Sequence, residues 1–184
     1  MGELASRDQL RMSFIRWALV TIPATLFVGF LSGQASNSGY GNRWFDALIK
    51  PDLIPPGWVF PVVWSVLYIL LGLVLAMLLH ARGARNRGLA LGLFLGQLIL
   101  NFLWAPLFFG AHQVSLALIL ILIILALAIA ATFTIAPIRK QAAWMMVPYM
   151  VWLSLASLLT LQIDRMNPDA EMMVPPTPAA EIIL

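Results

Sequence analysis

The chain has 184 residues, 61% of them hydrophobic and only 10% charged, with a net charge of +3 and a mean hydropathy of +0.91. A water-soluble domain usually has about a quarter of its residues charged, and one this short has no interior large enough to hide so much apolar surface, so the bilayer must be its solvent. The chain contains no cysteine, which excludes disulfides, thiolate metal sites and cysteine nucleophiles. The positive charge sits in short loops, where it sets topology and gives no sign of a nucleic-acid partner.

A hydrocarbon core of about 30 Å needs about 20 apolar residues per helix. Five segments meet this length, at roughly 14–33, 57–79, 88–109, 113–136 and 142–163. The predicted fold is therefore all-α: one integral membrane bundle of five transmembrane helices over residues 1–167. Residues 168–184, with Pro168, Pro175, Pro176 and Pro178, are expected to form a disordered tail. The first segment also has the outline of a cleavable signal, with Arg7, Arg11 and Arg16 ahead of an apolar run and Gly33-Gln34-Ala35 behind it. We read it as the first span.

With the N-terminus inside, the inner ends hold Arg7, Arg11, Arg16, Arg82, Arg85, Arg87, Arg139 and Lys140, and the outer ends hold Arg43, Lys50 and Arg165. Eight against three is a positive-inside bias. It places the N-terminus in the cytoplasm and the C-terminus on the far side, as in a bacterial inner-membrane protein. Residues 34–56 then form a long external loop. A loop of this length reads either as a linker or as a lid over a binding site, and Tyr40, Trp44 and Phe45 favour the lid. The stretch Trp44–Ile49 fits a short interfacial helix stopped by Pro51.

Within the spans, aromatic and polar residues recur at helical spacing. Phe60, Trp64 and Tyr68 share one face of the second span. Gln97, Asn101, Trp104 and Phe108 share one face of the third, and Tyr149, Trp152, Ala156 and Thr160 share one face of the fifth. Turned inward, the three faces make an apolar pocket with a few polar anchors, the usual composition of a ligand site. Gln97 and Asn101 also fit a second role as hydrogen-bonding groups between helices. Trp17, Trp58 and Trp144 fall at span ends, where tryptophan anchors a helix in the interface. The fourth span is nearly pure aliphatic and is expected to face lipid.

Gly88, Gly92 and Gly96 form two overlapping small-xxx-small repeats on a different face of the third span, and Gly29 with Gly33 form another. The third-span glycines suit either a homodimer interface or close packing within one monomer.

Spans two to five contain no Asp, Glu, Lys, Arg or His in their interiors. Intramembrane ionisable groups mark proton relays and ion-coupled pumps, so this class is disfavoured. His80 and His112 lie at opposite ends of the bundle and cannot share one haem iron. No catalytic set and no metal site is visible.

The segment WFDALIKPDLIPPGWVFPVVWSVLY, from Trp44 to Tyr68, resembles the TspO/MBR family (translocator protein, peripheral-type benzodiazepine receptor, bacterial tryptophan-rich sensory protein). The matching residues include Trp44, Phe45, Lys50, Pro51, Pro55, Pro56, Trp58, Val59, Phe60, Trp64, Leu67 and Tyr68. Gln97, Asn101, Trp104, Phe108 and Phe109 extend the match in the third span. Pro148, Tyr149, Trp152, Arg165 and Asn167 extend it in the fifth, so that it covers roughly residues 14–167. The resemblance implies a five-helix bundle, often a homodimer, whose pocket is closed by the first loop and binds porphyrins such as protoporphyrin IX and haem without a required cofactor. Mitochondrial members also bind cholesterol and benzodiazepine-type drugs. The implied ligand-binding residues are Trp44, Phe60, Trp64, Asn101, Trp104, Phe108, Tyr149 and Trp152, to which helical spacing adds Tyr68 and Gln97. The implied roles are porphyrin transport, regulation or stress response; the alternatives are light-dependent porphyrin breakdown and a partner-regulating subunit. Two positions depart from the family pattern: Leu53 stands where Trp is frequent, and Thr160 where Asn is usual. The sterol motif is not matched, since Tyr149 lies too far before Arg165.

Overall fold

The computed structural model describes residues 7–173, and these form helices and connecting turns without a strand. In chain order the helices are α1 (Arg7–Ala35), α2 (Arg43–Ala47), α3 (Val59–His80), α4 (Arg87–Ala105), α5 (Val114–Ile135) and α6 (Lys140–Met166). A π turn, Pro106–Gly110, continues α4, and a 3-10 turn, Ala170–Met172, follows α6. Five helices, α1, α3, α4 with its π turn, α5 and α6, are long and apolar enough to cross a membrane. The short α2 lies in the loop that joins α1 to α3.

The five long helices close a ring in the order α1, α3, α6, α5, α4, each packed on its neighbours. In lipid, no water satisfies a stray backbone group, so contacts between helices are made by close packing and polar side chains. The α1–α3 seam shows both. Thr21 donates to the Gly72 carbonyl at 2.7 Å and Thr25 to the Tyr68 carbonyl at 2.8 Å. Glycine permits this approach: a Cβ at Gly72 would lie 2.7 Å from the Ile22 Cα, and one at Gly29 would enter the Tyr68 ring. Gly29 thus serves packing within the chain.

Pro106 sets the C-terminal end of α4. It has no N–H, so the Phe102 carbonyl one turn earlier loses its ladder partner. The Ser32 hydroxyl of α1 donates to that carbonyl. The helix then widens, and Ala111 N–H reaches the Pro106 carbonyl at 2.8 Å, an i to i+5 bond. The sequence had suggested one uninterrupted span over 88–109.

The aliphatic α5 differs from its expected role. One face is packed between α4 and α6: Val114, Ala117, Ile121, Ile124, Ala128, Ala131 and Ile135 are buried at alternating spacings of three and four. Only its other face, with Leu116, Ile119, Leu122 and Phe133, is open to the outside. A nearly pure aliphatic helix hides this stripe, because Ala and Ile differ in size and hardly at all in polarity. At its N-terminus, Ser115 N–H donates to Glu171 and the Ser115 hydroxyl to Asp164, both at 3.0 Å. These carboxylates suit the positive end of a helix.

The basic end of the bundle is closed differently. Arg87 donates to the carbonyls of Leu78 and Leu79 at 2.7 and 3.1 Å, capping α3. The folded region also runs past its expected end at 167. Ala170 is buried against Trp44, whose indole N–H donates to the Ala170 carbonyl at 2.8 Å. That bond and the side chains of Asn167 and Glu171 order the first residues of the expected tail; residues 174–184 lie outside the described residues.

The Gly72→Ala variant is expected to lower the thermal stability of detergent-purified protein by about 1–3 kcal/mol, the usual cost of overpacking. Gly92→Ala, with no atom within 4 Å of the new Cβ, should leave it unchanged. Equal melting temperatures for both variants would contradict the seam described above.

Candidate ligand-binding cavity

A cavity of about 650 Å³ opens inside the ring near the loop end and is lined by all five long helices and by the loop. This volume falls within the range of pockets that enclose small molecules. Among the described residues no charged side chain lines it. Its walls come from Phe60, Trp64 and Tyr68 of α3, Asn101 and Trp104 of α4, Phe108 of the π turn, and Trp152, Ala156 and Thr160 of α6. All nine residues lie on the faces that helical spacing turns inward.

Trp64 and Trp152 stand nearly perpendicular, 88° apart with centroids at 6.5 Å, and Phe60 packs edge-on to Trp152 at 5.8 Å. Trp64 stacks on Tyr68 at 5.2 Å, and Trp104 stacks on Phe108 at 5.0 Å. The four indoles divide by what their N–H groups do. Trp104 donates to the Ala117 carbonyl at 3.0 Å, tying α4 to α5, and Trp44 is taken by Ala170. Among the described residues the N–H groups of Trp64 and Trp152 have no protein acceptor, so they are free to donate to a ligand.

Beneath these rings lies a polar layer. Tyr68 donates to the Asn101 side-chain oxygen at 3.3 Å, and Tyr149 donates to the Gln97 oxygen at 2.6 Å. Tyr149 and Gln97 are fully buried and do not line the cavity. Of the two roles open to the amides, Gln97 therefore takes the interhelical one, while Asn101 combines both. The Gln97 amide nitrogen has no partner among the described residues. Thr160 donates to the Ala156 carbonyl of its own helix at 2.8 Å, so its hydroxyl proton is already used.

Trp44 is also placed away from the cavity wall. It is 1% exposed, stacked on His112 at 4.4 Å and set edge-on to Phe108 at 5.4 Å. Its neighbour Phe45 lines the cavity in its place. Helical spacing gave no view of this, because Trp44 lies in the loop and its orientation depends on a partner 126 positions along the chain.

The loop is a lid attached at three points. Asn42 caps α2 by accepting from Phe45 N–H at 3.1 Å, and its amide donates to the carbonyls of Asn37 and Phe109. Trp44 is held by Ala170. Asn167 pairs with both backbone groups of Ile49, at 2.8 and 2.9 Å. Arg43 is exposed, and Lys50 is tied to the carbonyls of Asp46 and Leu48; neither lines the cavity. The short helix of the lid spans Arg43–Ala47, close to the expected Trp44–Ile49.

Residues that the sequence reading did not name as ligand-binding complete the cavity. Ile121 and Ile124 reach it from α5, Gly29 and Ser32 from α1, and Tyr40 from the loop. The small-residue spacing of α1 was the available signal for that wall. Gly88, Gly92 and Gly96 of α4 lie on the opposite, outer face, and a Cβ at any of them would meet nothing within 4 Å. They do not serve packing within the monomer.

The TspO/MBR family model matches residues 19–166, which hold both the ring and the cavity. The chain belongs to the TspO/MBR family. It is 34% identical to Protein CrtK of Rhodobacter capsulatus, over 81% of this chain and 94% of that one. It is 35% identical to the Translocator protein of Bos taurus, over 76% and 83%, and 31% identical to the Tryptophan-rich sensory protein of Cereibacter sphaeroides, over 77% and 91%. In this TspO/MBR chain, the family match thus runs from within α1 to the end of α6.

Asn167→Ala removes two hydrogen bonds to the lid, each worth about 1 kcal/mol. Limited proteolysis within residues 36–56 is expected to accelerate by about tenfold or more, while the helical core stays protected. Unchanged cleavage would mean that the lid is not held there.

Proposed function

We propose that the cavity binds a planar, largely apolar tetrapyrrole such as protoporphyrin IX or haem, and that the protein acts in porphyrin transport, regulation or stress response. The observation that carries this reading is the pair of perpendicular indoles, Trp64 and Trp152, with unused N–H groups above the Asn101 layer. A porphyrin buries a wide apolar face against aromatic rings, while its peripheral oxygens need donors. Because no cation among the described residues lines the cavity, an ionised propionate is better placed toward the mouth than at the floor. The names of the relatives, Translocator protein and Tryptophan-rich sensory protein, agree with a role in moving or sensing a ligand.

In the same reading the N-terminal, basic end faces the cytoplasm and the lid faces the periplasm of a bacterial inner membrane, by the positive-inside rule. The open glycine face of α4 is offered to a second copy of the chain, since small residues allow helix backbones to meet closely. The chain has no cysteine, so a single Ile99→Cys beside that face tests the dimer. Crosslinking into a species of twice the mass in native membranes is expected; only monomer under oxidising conditions would refute it.

The ligand reading is tested by titrating detergent-purified protein with protoporphyrin IX, following tryptophan fluorescence corrected for inner-filter loss. Saturable quenching is expected, weakened about tenfold or more by Trp152→Ala and by Asn101→Ala. The exposed rim residue Trp58 should matter less when changed to Ala. Linear quenching, identical in every variant, would reduce the signal to detergent partitioning and favour a partner-regulating subunit. Repeating the titration in light and dark separates binding from breakdown: a porphyrin spectrum unchanged by illumination excludes the degrading activity.

A further inference from the structure

The cavity's lining residues are unequally exposed. Tyr68, Asn101, Phe108 and Leu153 are buried, while Tyr40 is 49% and Trp58 69% exposed. The mouth therefore lies where the end of α1 and the first turn of the loop approach the start of α3. At that mouth the Tyr40 ring rests on Gly57, so closely that a Cβ on Gly57 would stand 2.7 Å from the Tyr40 Cδ2.

We propose that Tyr40 is the gate of this cavity, admitting ligand between the end of α1 and the start of α3 while α2 stays attached. The proposal rests on the cavity being a ligand site. Tyr40 is carried on a tight turn in which Asn42 N–H donates to the Gly39 carbonyl at 3.3 Å. Gly39 and Gly41 flank it with φ of 101° and 95°, a region open to glycine and strained for other residues. Neither glycine has an atom within 4 Å of the position a Cβ would occupy, so the turn has room on both sides.

The ring itself is held only by weak contacts. It meets Phe45 edge-on at 5.7 Å, and Lys50 Nζ lies 6.0 Å from its centroid. Its hydroxyl has no protein partner among the described residues. The rest of the lid, by contrast, is fixed by the side chains of Asn42, Trp44 and Asn167. The lightest moving part at the mouth is thus one aromatic side chain on a glycine-flanked turn. Trp58 beside it suits the membrane interface, so the ligand class is a planar amphipathic molecule arriving from that layer.

The test uses the absence of cysteine. In an Ala156→Cys background the only thiol lies inside the cavity, and its labelling by N-ethylmaleimide reports access without any porphyrin. Tyr40→Ala and, separately, Gly57→Ala are expected to accelerate labelling by about tenfold. Tyr40→Phe keeps the ring and should keep the parent rate. Melting curves establish that each variant is folded. In stopped-flow mixing with protoporphyrin IX, association and dissociation should both accelerate in Tyr40→Ala, with the affinity changed by less than about threefold. Labelling unchanged by both Ala variants would overturn the gate even if porphyrin binds normally. Faster dissociation alone would also overturn it, making Tyr40 a simple ligand contact. Accelerated labelling in a protein that binds no porphyrin would uphold the gate and remove the tetrapyrrole reading.

Discussion

The hydrogen bond from Ser32 to the Phe102 carbonyl shows the constraint on which this structure depends. Inside a bilayer a backbone carbonyl without a donor is costly, because no water can replace the missing partner. Pro106 creates such a carbonyl, and α1 supplies the donor. The exchange fixes α1 against α4 and closes the fifth side of the ring. It also lets the π turn form, and that turn carries Phe108 to the cavity and offers the Phe109 carbonyl to Asn42 of the lid. A single missing N–H is thereby connected to the wall, the mouth and the cover of the site.

Polar groups in the bundle divide into those already used and those left over. Thr21 and Thr25 are used on α3 carbonyls, Trp104 on α5, Trp44 on the segment after α6, and Tyr149 on Gln97. Trp64 and Trp152 remain, and they face the same space. The Gln97 amide nitrogen is also left over, but away from the cavity wall. Among the described residues the cavity lining carries no charge, so what these two indoles offer the cavity is donors without a charge.

Much of this was legible in the sequence, for physical reasons. A span needs a fixed number of apolar residues, so the five long helices could be placed within a few residues, apart from the earlier start of α1. Polar and aromatic residues at helical spacing mark a buried face in lipid, and Phe60, Trp64, Asn101, Trp104 and Trp152 were read in this way. What escaped was set by long-range partners. Trp44 points away from the cavity because of Ala170, and Tyr149 with Gln97 sinks below it because the two satisfy each other. The packed face of α5 escaped because size, with polarity absent, is a weak signal. The ordered residues after 167 escaped because composition suggested a tail, and the contacts that hold them come from the loop and from α5.

The lid's attachments also carry an order in time. Ile49 is held by a residue 118 positions further along the chain, and Trp44 by one 126 positions further. Neither bond can form until the ribosome has passed Asn167 and Ala170. The four earlier long helices can insert and pack beforehand, but the cover stays unfastened until α6 and the turn after it are in place. The newly made site is therefore open while its walls are assembled, and its cover fastens only after α6.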